Sequence, residues 1–161
     1  MRIGQLAQRI NDKLRTKGLT LSTAESCTGG GIAAAITSIP GSSDIFKGGI
    51  VAYANEAKRS VLSVQETTLQ HDGAVSEATV QQMAVGVARL MQTECAIATS
   101  GIAGPGGGTT EKPVGTVWLA VLVGGETHTR LLKLDDKGRK ANIKETIQRA
   151  LETLLTLLDD N

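Results

Sequence analysis

This chain of 161 residues has 17 Lys and Arg and 16 Asp and Glu, so its charges almost cancel and its net charge is +1. A chain of this length buries about 70% of its unfolded surface, so it needs neither disulfides nor a structural metal to form one core. The balanced charge and the presence of only three aromatic residues, Phe46, Tyr53 and Trp118, argue against a nucleic-acid-binding surface. We predict one domain over 1–161, with no direct nucleic-acid partner.

The cysteines and the apolar runs indicate the cellular compartment of the protein. Cys27 and Cys95 lack metal-site spacing, and the chain has only two histidines, so we predict no metal and no cofactor. Unpaired cysteines fit a reducing compartment. The N-terminus is polar, and the longest apolar run, 117–123, is far shorter than the roughly 20 residues that span a bilayer. We therefore predict a soluble cytoplasmic protein with no membrane partner.

Two periodicities divide the chain into helices and strands, since helices repeat apolar residues every three or four positions and strands alternate them. Gly18 ends the first helical pattern, and Ser76 is a favourable N-cap for another. In chain order we predict a helix at 3–17, a strand at 19–23, a helix at about 30–38, a strand at 48–54, a helix at 56–64, a helix after Ser76, strands at 95–99, 115–123 and 127–134, and a helix at about 138–158. Interleaved helices and strands followed by a hairpin predict a mixed β-sheet covered by helices, in the α/β class.

The first polar cluster, residues 25–31, connects a predicted strand to a predicted helix. Exposed N–H groups at a helix start suit a phosphate or a developing oxyanion, and glycines allow a ligand to approach closely. Ser26 and Cys27 supply two nucleophiles there. The structural alternative is that Ser26 or Thr28 only caps the helix.

The second polar cluster, 53–58, holds Tyr53 at a strand end and Lys58 about one helical turn later. A lysine in a pocket can have its pKa lowered and act as a base, or it can lower the pKa of a neighbouring tyrosine. Either group can then take a proton from a serine hydroxyl. The alternative is a surface lysine beside a half-buried tyrosine.

The third cluster, 100–115, is a loop dense in glycine. Ordering so much glycine is entropically unfavourable, which favours a loop that wraps a ligand, although a flexible connector has the same composition. The loop has neither the phosphate-loop order nor the dinucleotide fingerprint. Further along the chain, Arg139 is suited to bidentate phosphate binding.

Six segments in order carry a family resemblance: TAESCTGG (23–30), PGSS (40–43), YANEAK (53–58), GAVS (73–76), SGIAGP (100–105) and KPVGTV (112–117). Together they resemble the CinA C-terminal domain family, whose enzymatic members are the PncC-type nicotinamide-nucleotide amidases. The resemblance runs from about residue 3 to the final helix. It implies the stand-alone form, without the additional N-terminal domain of full-length CinA proteins, and a homo-oligomer.

The resemblance also implies a reaction, in which nicotinamide mononucleotide and water give nicotinate mononucleotide and ammonia. Ser26 would be the nucleophile, with Tyr53 and Lys58 as its activating partners, and either of these two could be the direct base. The N–H groups of 27–30 or of 100–104 would hold the oxyanion. The residues expected to contact the substrate are Glu25, Cys27, Thr28, Gly29, Gly30, Asn55, Ser100, Gly101, Ala103, Gly104, Lys112 and Arg139.

Three alternatives stay open from the sequence. The chain could be a catalytically silent paralogue that still binds a nucleotide, which ammonia release would distinguish. It could be an interaction module connected with competence or DNA damage. Finally, Cys27 could be the nucleophile in place of Ser26, since a helix N-terminus lowers the pKa of a thiol.

Overall fold

The structure, a computed structural model, describes residues 1–160. The helices are α1 (Ile3–Lys17), α2 (Gly31–Thr37), α3 (Asn55–Ser60), α4 (Glu66–His71), α5 (Glu77–Met91) and α6 (Arg139–Asp160), with a single 3-10 turn at Ser42–Asp44. The strands are β1 (Leu21–Glu25), β2 (Phe46–Val51), β3 (Cys95–Gly101), β4 (Thr116–Val123) and β5 (Glu126–Lys133).

The strands form one mixed sheet in the order β2-β1-β3-β4-β5. β1 runs parallel to β2 and β3, whereas β3–β4 and β4–β5 are antiparallel pairs. Glu25, the last residue of β1, is in register with Val51 of β2 and with Thr99 of β3. The segments that follow these three parallel strands therefore meet at one edge of the sheet, where open α/β sheets usually bind ligands.

Helices cover both faces of the sheet and divide the core in two. On one face, α1, α2 and α6 pack around residues such as Leu14, Ile32 and Leu154. On the other, α5 packs Met83 and Val87 against the alanines of the central strands. All five residues of β1 are buried, as expected for a strand covered on both faces.

The predicted α/β class and mixed sheet are confirmed, with errors at element boundaries. The first helix ends where Gly18 adopts a left-handed conformation, and the Ser76 hydroxyl caps α5 by accepting from the Thr79 N–H. The strands predicted at 19–23 and 48–54 are displaced by about two residues. Helix α4 was missed because its six residues, ETTLQH, contain only one large aliphatic side chain and so show no periodicity. No helix within 1–160 is both long enough and apolar enough to cross a membrane.

Candidate active site

The first two polar clusters meet at the carboxyl edge of the sheet through Ser26 and Lys58. Ser26 directly follows β1, and Lys58 lies on α3, the short helix after β2. The Lys58 Nζ is 3.0 Å from the Ser26 Oγ. Both residues are buried, with Lys58 only 1% exposed. The structural alternative of a surface lysine is therefore wrong.

The surroundings of the Lys58 amino group favour its neutral form. Burial lowers the pKa of Lys58 below its ordinary value. Besides Ser26, the Nζ contacts the carbonyl oxygens of Ala52 at 2.9 Å and of Tyr53 at 3.3 Å, and these oxygens can only accept hydrogen bonds. A neutral amine has two N–H groups for these carbonyls and one lone pair, which is then left for the Ser26 hydroxyl. This is the geometry that a general base requires.

The Tyr53 side chain belongs to the rim of this site rather than to its buried centre. It is 59% exposed, and its hydroxyl accepts a 2.8 Å hydrogen bond from the Arg139 Nη2. The Arg139 Nη1 donates to the Gly104 carbonyl, also at 2.8 Å. Arg139 thus joins the second polar cluster to the third. Of the three side chains that were predicted to be catalytic, Ser26 and Lys58 touch each other, while the Tyr53 hydroxyl is bound by Arg139.

The Glu25 side chain is buried and is bonded to groups of the protein. It is 1% exposed, and its Oε1 accepts from the Thr28 hydroxyl at 2.6 Å and from the Ile32 N–H at 2.8 Å. Its Oε2 accepts from the Ala33 N–H at 3.0 Å. The sequence suggested that the first N–H groups of α2 were open to a phosphate, but the protein's own carboxylate occupies those of Ile32 and Ala33.

The turn that carries Ser26 retains other N–H groups near the nucleophile. The Gly29 N–H donates to the Ser26 carbonyl, and the Gly31 N–H donates to the Thr28 carbonyl. Within residues 1–160, no acceptor from the protein is assigned to the N–H groups of Thr28 and Gly30. These two groups can therefore bind an oxygen of a ligand.

The Cys27 thiol is less acidic than its position before a helix suggested. It is 6% exposed, and burial, together with the nearby Glu25 charge, raises the pKa of its thiol to about 12. The expectation that the helix N-terminus lowers this pKa is therefore wrong, because desolvation dominates. A protonated thiol is a poor nucleophile, whereas the Ser26 Oγ contacts the Lys58 Nζ, which can activate it, so Ser26 is the better candidate.

The Lys112 side chain anchors the glycine-rich loop of residues 100–115. Its Nζ donates to the carbonyls of Asp72 at 2.9 Å and of Val75 at 2.8 Å, which fixes the loop to the segment before α5. Of the other residues predicted to contact the substrate, Ser100 and Gly101 end β3, Ser100 is buried, and Asn55 is exposed at the start of α3.

Asn142 is a site residue that sequence reasoning missed. It is 2% exposed, and its Nδ2 donates to the Ala103 carbonyl and to the Asp136 Oδ1, both at 3.0 Å. Together with Arg139, one helical turn earlier, it fastens the loop at Ala103 and Gly104 to the start of α6. The available signal was a pair of polar residues, Asn142 and Thr146, on a helical face that continues into Ala150 and Leu154. Within 1–160, no three His, Cys, Asp or Glu residues cluster closely enough to hold a metal ion.

Comparison with known sequences decides the family. The sequence model of the CinA C-terminal domain matches residues 3–158. The chain belongs to the CinA C-terminal domain family. It is 46% identical to the nicotinamide-nucleotide amidohydrolase PncC of Escherichia coli K12 over 151 residues, which are 93% of this chain and 91% of that protein. It is also 46% identical to a CinA-like protein of Shewanella denitrificans, over 96% of this chain but only 37% of the longer relative.

Solved structures share the fold closely. The competence/damage inducible protein CihA from Agrobacterium tumefaciens superposes with a TM-score of 0.94 at 46% identity, over 96% of this chain and 94% of that one. The competence damage-inducible protein A from Klebsiella pneumoniae gives a TM-score of 0.95 at 37% identity, over 99% and 98% of the two chains. The match to these two structures confirms the fold class that the sequence predicts for this chain.

Proposed function

We propose that this protein hydrolyses the carboxamide of nicotinamide mononucleotide, giving nicotinate mononucleotide and ammonia. The observation that carries the proposal is the buried Lys58 Nζ, 3.0 Å from the Ser26 Oγ. A nucleophile within hydrogen-bond reach of a base is the arrangement that acyl transfer needs. The 46% identity to the Escherichia coli enzyme, named for nicotinamide nucleotides, supports the choice of substrate.

In the acylation half of the reaction, neutral Lys58 takes the hydroxyl proton as the Ser26 Oγ attacks the carboxamide carbon. The carbonyl oxygen becomes an oxyanion in the tetrahedral intermediate. The Lys58 ammonium then gives its proton to the amide nitrogen, the C–N bond breaks, and ammonia leaves. The product of this half-reaction is an ester between the Ser26 Oγ and the nicotinoyl group, with Lys58 neutral again.

In the deacylation half, water enters the position that ammonia has left. Lys58 takes a proton from this water as its oxygen attacks the ester carbon. The bond to the Ser26 Oγ then breaks, and the Oγ recovers the proton from Lys58. Nicotinate mononucleotide leaves as the carboxylic acid and releases its proton to solvent, so that one water is consumed for each ammonia released.

The surrounding groups have supporting tasks in this proposal. The N–H groups of Thr28 and Gly30 hold the oxyanion, since they belong to the turn that follows the nucleophile and have no acceptor within the described residues. Lys58 is the direct base, because its Nζ, unlike the Tyr53 hydroxyl, contacts the Ser26 Oγ. Tyr53 and Arg139 border the exposed side of the site, where the guanidinium binds the substrate phosphate.

The test is ammonia release from nicotinamide mononucleotide by the purified chain, followed together with formation of nicotinate mononucleotide. We expect equal amounts of both products from the wild type, and losses of at least about 10³-fold in the Ser26→Ala and Lys58→Arg variants. The guanidinium introduced by Lys58→Arg keeps the positive charge but cannot act as a base. Tight binding of nicotinamide mononucleotide by the wild type without ammonia release would instead identify a silent paralogue.

A further inference from the structure

Glu25, the residue immediately before the proposed nucleophile, uses its carboxylate entirely within the protein. It is 1% exposed, and its three hydrogen bonds come from the Thr28 hydroxyl and from the N–H groups of Ile32 and Ala33. All three donors belong to the turn after Ser26 or to the first turn of α2. The carboxylate therefore connects the segment on either side of Ser26 to the start of a helix.

A second connection fastens the same turn to strand β3. The Thr28 Oγ1 lies 2.9 Å from the Thr99 Oγ1, and the single hydroxyl proton of Thr28 is already donated to Glu25. Thr99 is therefore the donor, and a chain of hydrogen bonds runs from Thr99 through Thr28 to Glu25. The Ser26 N–H also donates to the Thr99 carbonyl at 3.0 Å. The nucleophile is thus held between β3 and the start of α2.

Within the described residues, the turn after Ser26 has only two backbone hydrogen bonds of its own, from the Gly29 N–H to the Ser26 carbonyl and from the Gly31 N–H to the Thr28 carbonyl. We therefore regard the contacts of Glu25 and Thr99 as a clamp on this turn. Gly29 and Gly30 have φ values of 59° and 96°, in the left-handed region that glycine enters easily. A turn made of such residues samples many conformations unless other groups fix it. Because a displacement of about 1 Å in a reacting group can reduce catalysis by about 10²-fold, fixing the Ser26 Oγ against Lys58 has a direct effect on rate.

From this geometry we infer that Glu25 is a positioning residue, acting through Thr28 on Ser26, and not a ligand of the substrate. The inference rests on the proposed function in that Ser26 is the nucleophile. It replaces the expectation that Glu25 contacts the substrate. It also directs the substrate phosphate away from the start of α2, since a phosphate there would face a buried carboxylate that already holds the Ile32 and Ala33 N–H groups.

The experiment compares Glu25→Gln, Thr28→Val and Thr28→Ser with the wild type. Glu25→Gln places an NH₂ group against the N–H of either Ala33 or Ile32, while Thr28→Val removes the hydroxyl and Thr28→Ser keeps it. Glu126→Gln is the matched control, since Glu126 lies on β5 with a side chain that is 80% exposed. For each variant the measurements are kcat and KM for nicotinamide mononucleotide, the rate at which a fluorophosphonate labels Ser26 (by intact mass), the pH midpoint of that labelling, and Tm.

We expect Glu25→Gln and Thr28→Val to lower both kcat and the labelling rate by about tenfold or more. Their KM should stay within about threefold of the wild type, and the pH midpoint of labelling should not move, because Lys58 keeps its surroundings. Glu126→Gln should behave as the wild type, and Thr28→Ser, which keeps the hydroxyl, should lose much less kcat and labelling rate than Thr28→Val. All rates are compared well below the Tm of each variant, so that a loss of stability alone does not change them.

Two results would overturn the inference. A raised KM in Glu25→Gln with unchanged kcat and labelling would make Glu25 a substrate ligand, and a lowered Tm with unchanged kcat and labelling would make its role structural only. If Glu25→Gln does not fold, the Thr28→Val and Thr28→Ser pair decides in the same way, and equal labelling of the two would refute the clamp.

Wild-type protein that is labelled at Ser26 but releases no ammonia would refute the proposed function, while the labelling comparison would still test Glu25.

Discussion

The Lys58 amino group contacts the Ser26 hydroxyl at 3.0 Å from inside the protein, on a side chain that is 1% exposed. The carbonyls of Ala52 and Tyr53 also accept from this amino group, so when the amine is neutral its lone pair is left for the serine hydroxyl. Burial lowers the pKa of this amine. The same contact has consequences for pH dependence, for stability and for the choice of nucleophile.

The activity should depend on pH through Lys58. Because burial lowers the pKa of Lys58, kcat/KM should rise with pH and level off once the pH exceeds this lowered pKa, before the ordinary lysine pKa is reached. The check is a kcat/KM profile for nicotinamide mononucleotide between about pH 5 and pH 10. A profile that continues to rise up to the ordinary lysine pKa would show that Lys58 is not the base.

Lys58 should also make the stability of the protein depend on pH. Between its lowered folded pKa and its ordinary pKa, the unfolded chain binds a proton that the folded chain does not, so the free energy of unfolding should rise with pH by at most about 1.4 kcal/mol per pH unit. Lys58→Met removes this group. Urea unfolding of both proteins over several pH values should show a steeper rise for the wild type, and parallel curves would contradict the account.

The Cys27 thiol should be unreactive toward alkylating reagents in the folded protein. Burial raises the pKa of its thiol to about 12, so iodoacetamide at neutral pH should modify it only after unfolding, as judged by intact mass. Cys27→Ala should retain activity within a few-fold, with a loss of stability of about 1 kcal/mol for the removed buried group. Loss of turnover in Cys27→Ala while Ser26→Ala remained active would reverse the assignment.

Arg139 should act on substrate binding more than on chemistry. If its guanidinium binds the substrate phosphate, Arg139→Ala should raise KM for nicotinamide mononucleotide by about tenfold or more, in line with about 1.5–3 kcal/mol for a charged hydrogen bond. The rate at which a fluorophosphonate labels Ser26 should change little. Arg130→Ala is the control, since Arg130 is exposed on β5 and its guanidinium contacts only Thr153 within the described residues. An unchanged KM in Arg139→Ala would place the phosphate elsewhere.

Local sequence patterns were sufficient for the fold class, and they drew attention to Ser26 and Lys58 without deciding what these residues do. Glycine at position 18, the cap at Ser76 and the hairpin after β4 are short-range signals, and the structure confirms each of them. Ser26 and Lys58 were noted because each belongs to a polar cluster between predicted elements, where loops usually carry function. Family resemblance then supplied the idea that they act as a pair.

What the sequence did not reveal depends on contacts between distant segments. The direction of the Glu25 side chain follows from the packing of α2 against the sheet, and Lys112 meets Asp72 and Val75 only after the loop folds over the start of α5. Tyr53 and Arg139 are 86 positions apart and meet through a single hydrogen bond. Patterns of apolar spacing carry no information about such polar contacts, which explains why Asn142 was missed.

The central claim is that the acyl group of the carboxamide is transferred to Ser26 with Lys58 as the base, and the first turnover tests it most directly. Wild-type protein mixed with nicotinamide mononucleotide and stopped in acid within milliseconds should carry an added mass equal to the substrate minus ammonia. Fragmentation should assign this mass to Ser26, and neither Ser26→Ala nor Lys58→Arg should acquire it. An adduct on another residue, or ammonia release by Ser26→Ala at the wild-type rate, would contradict the account.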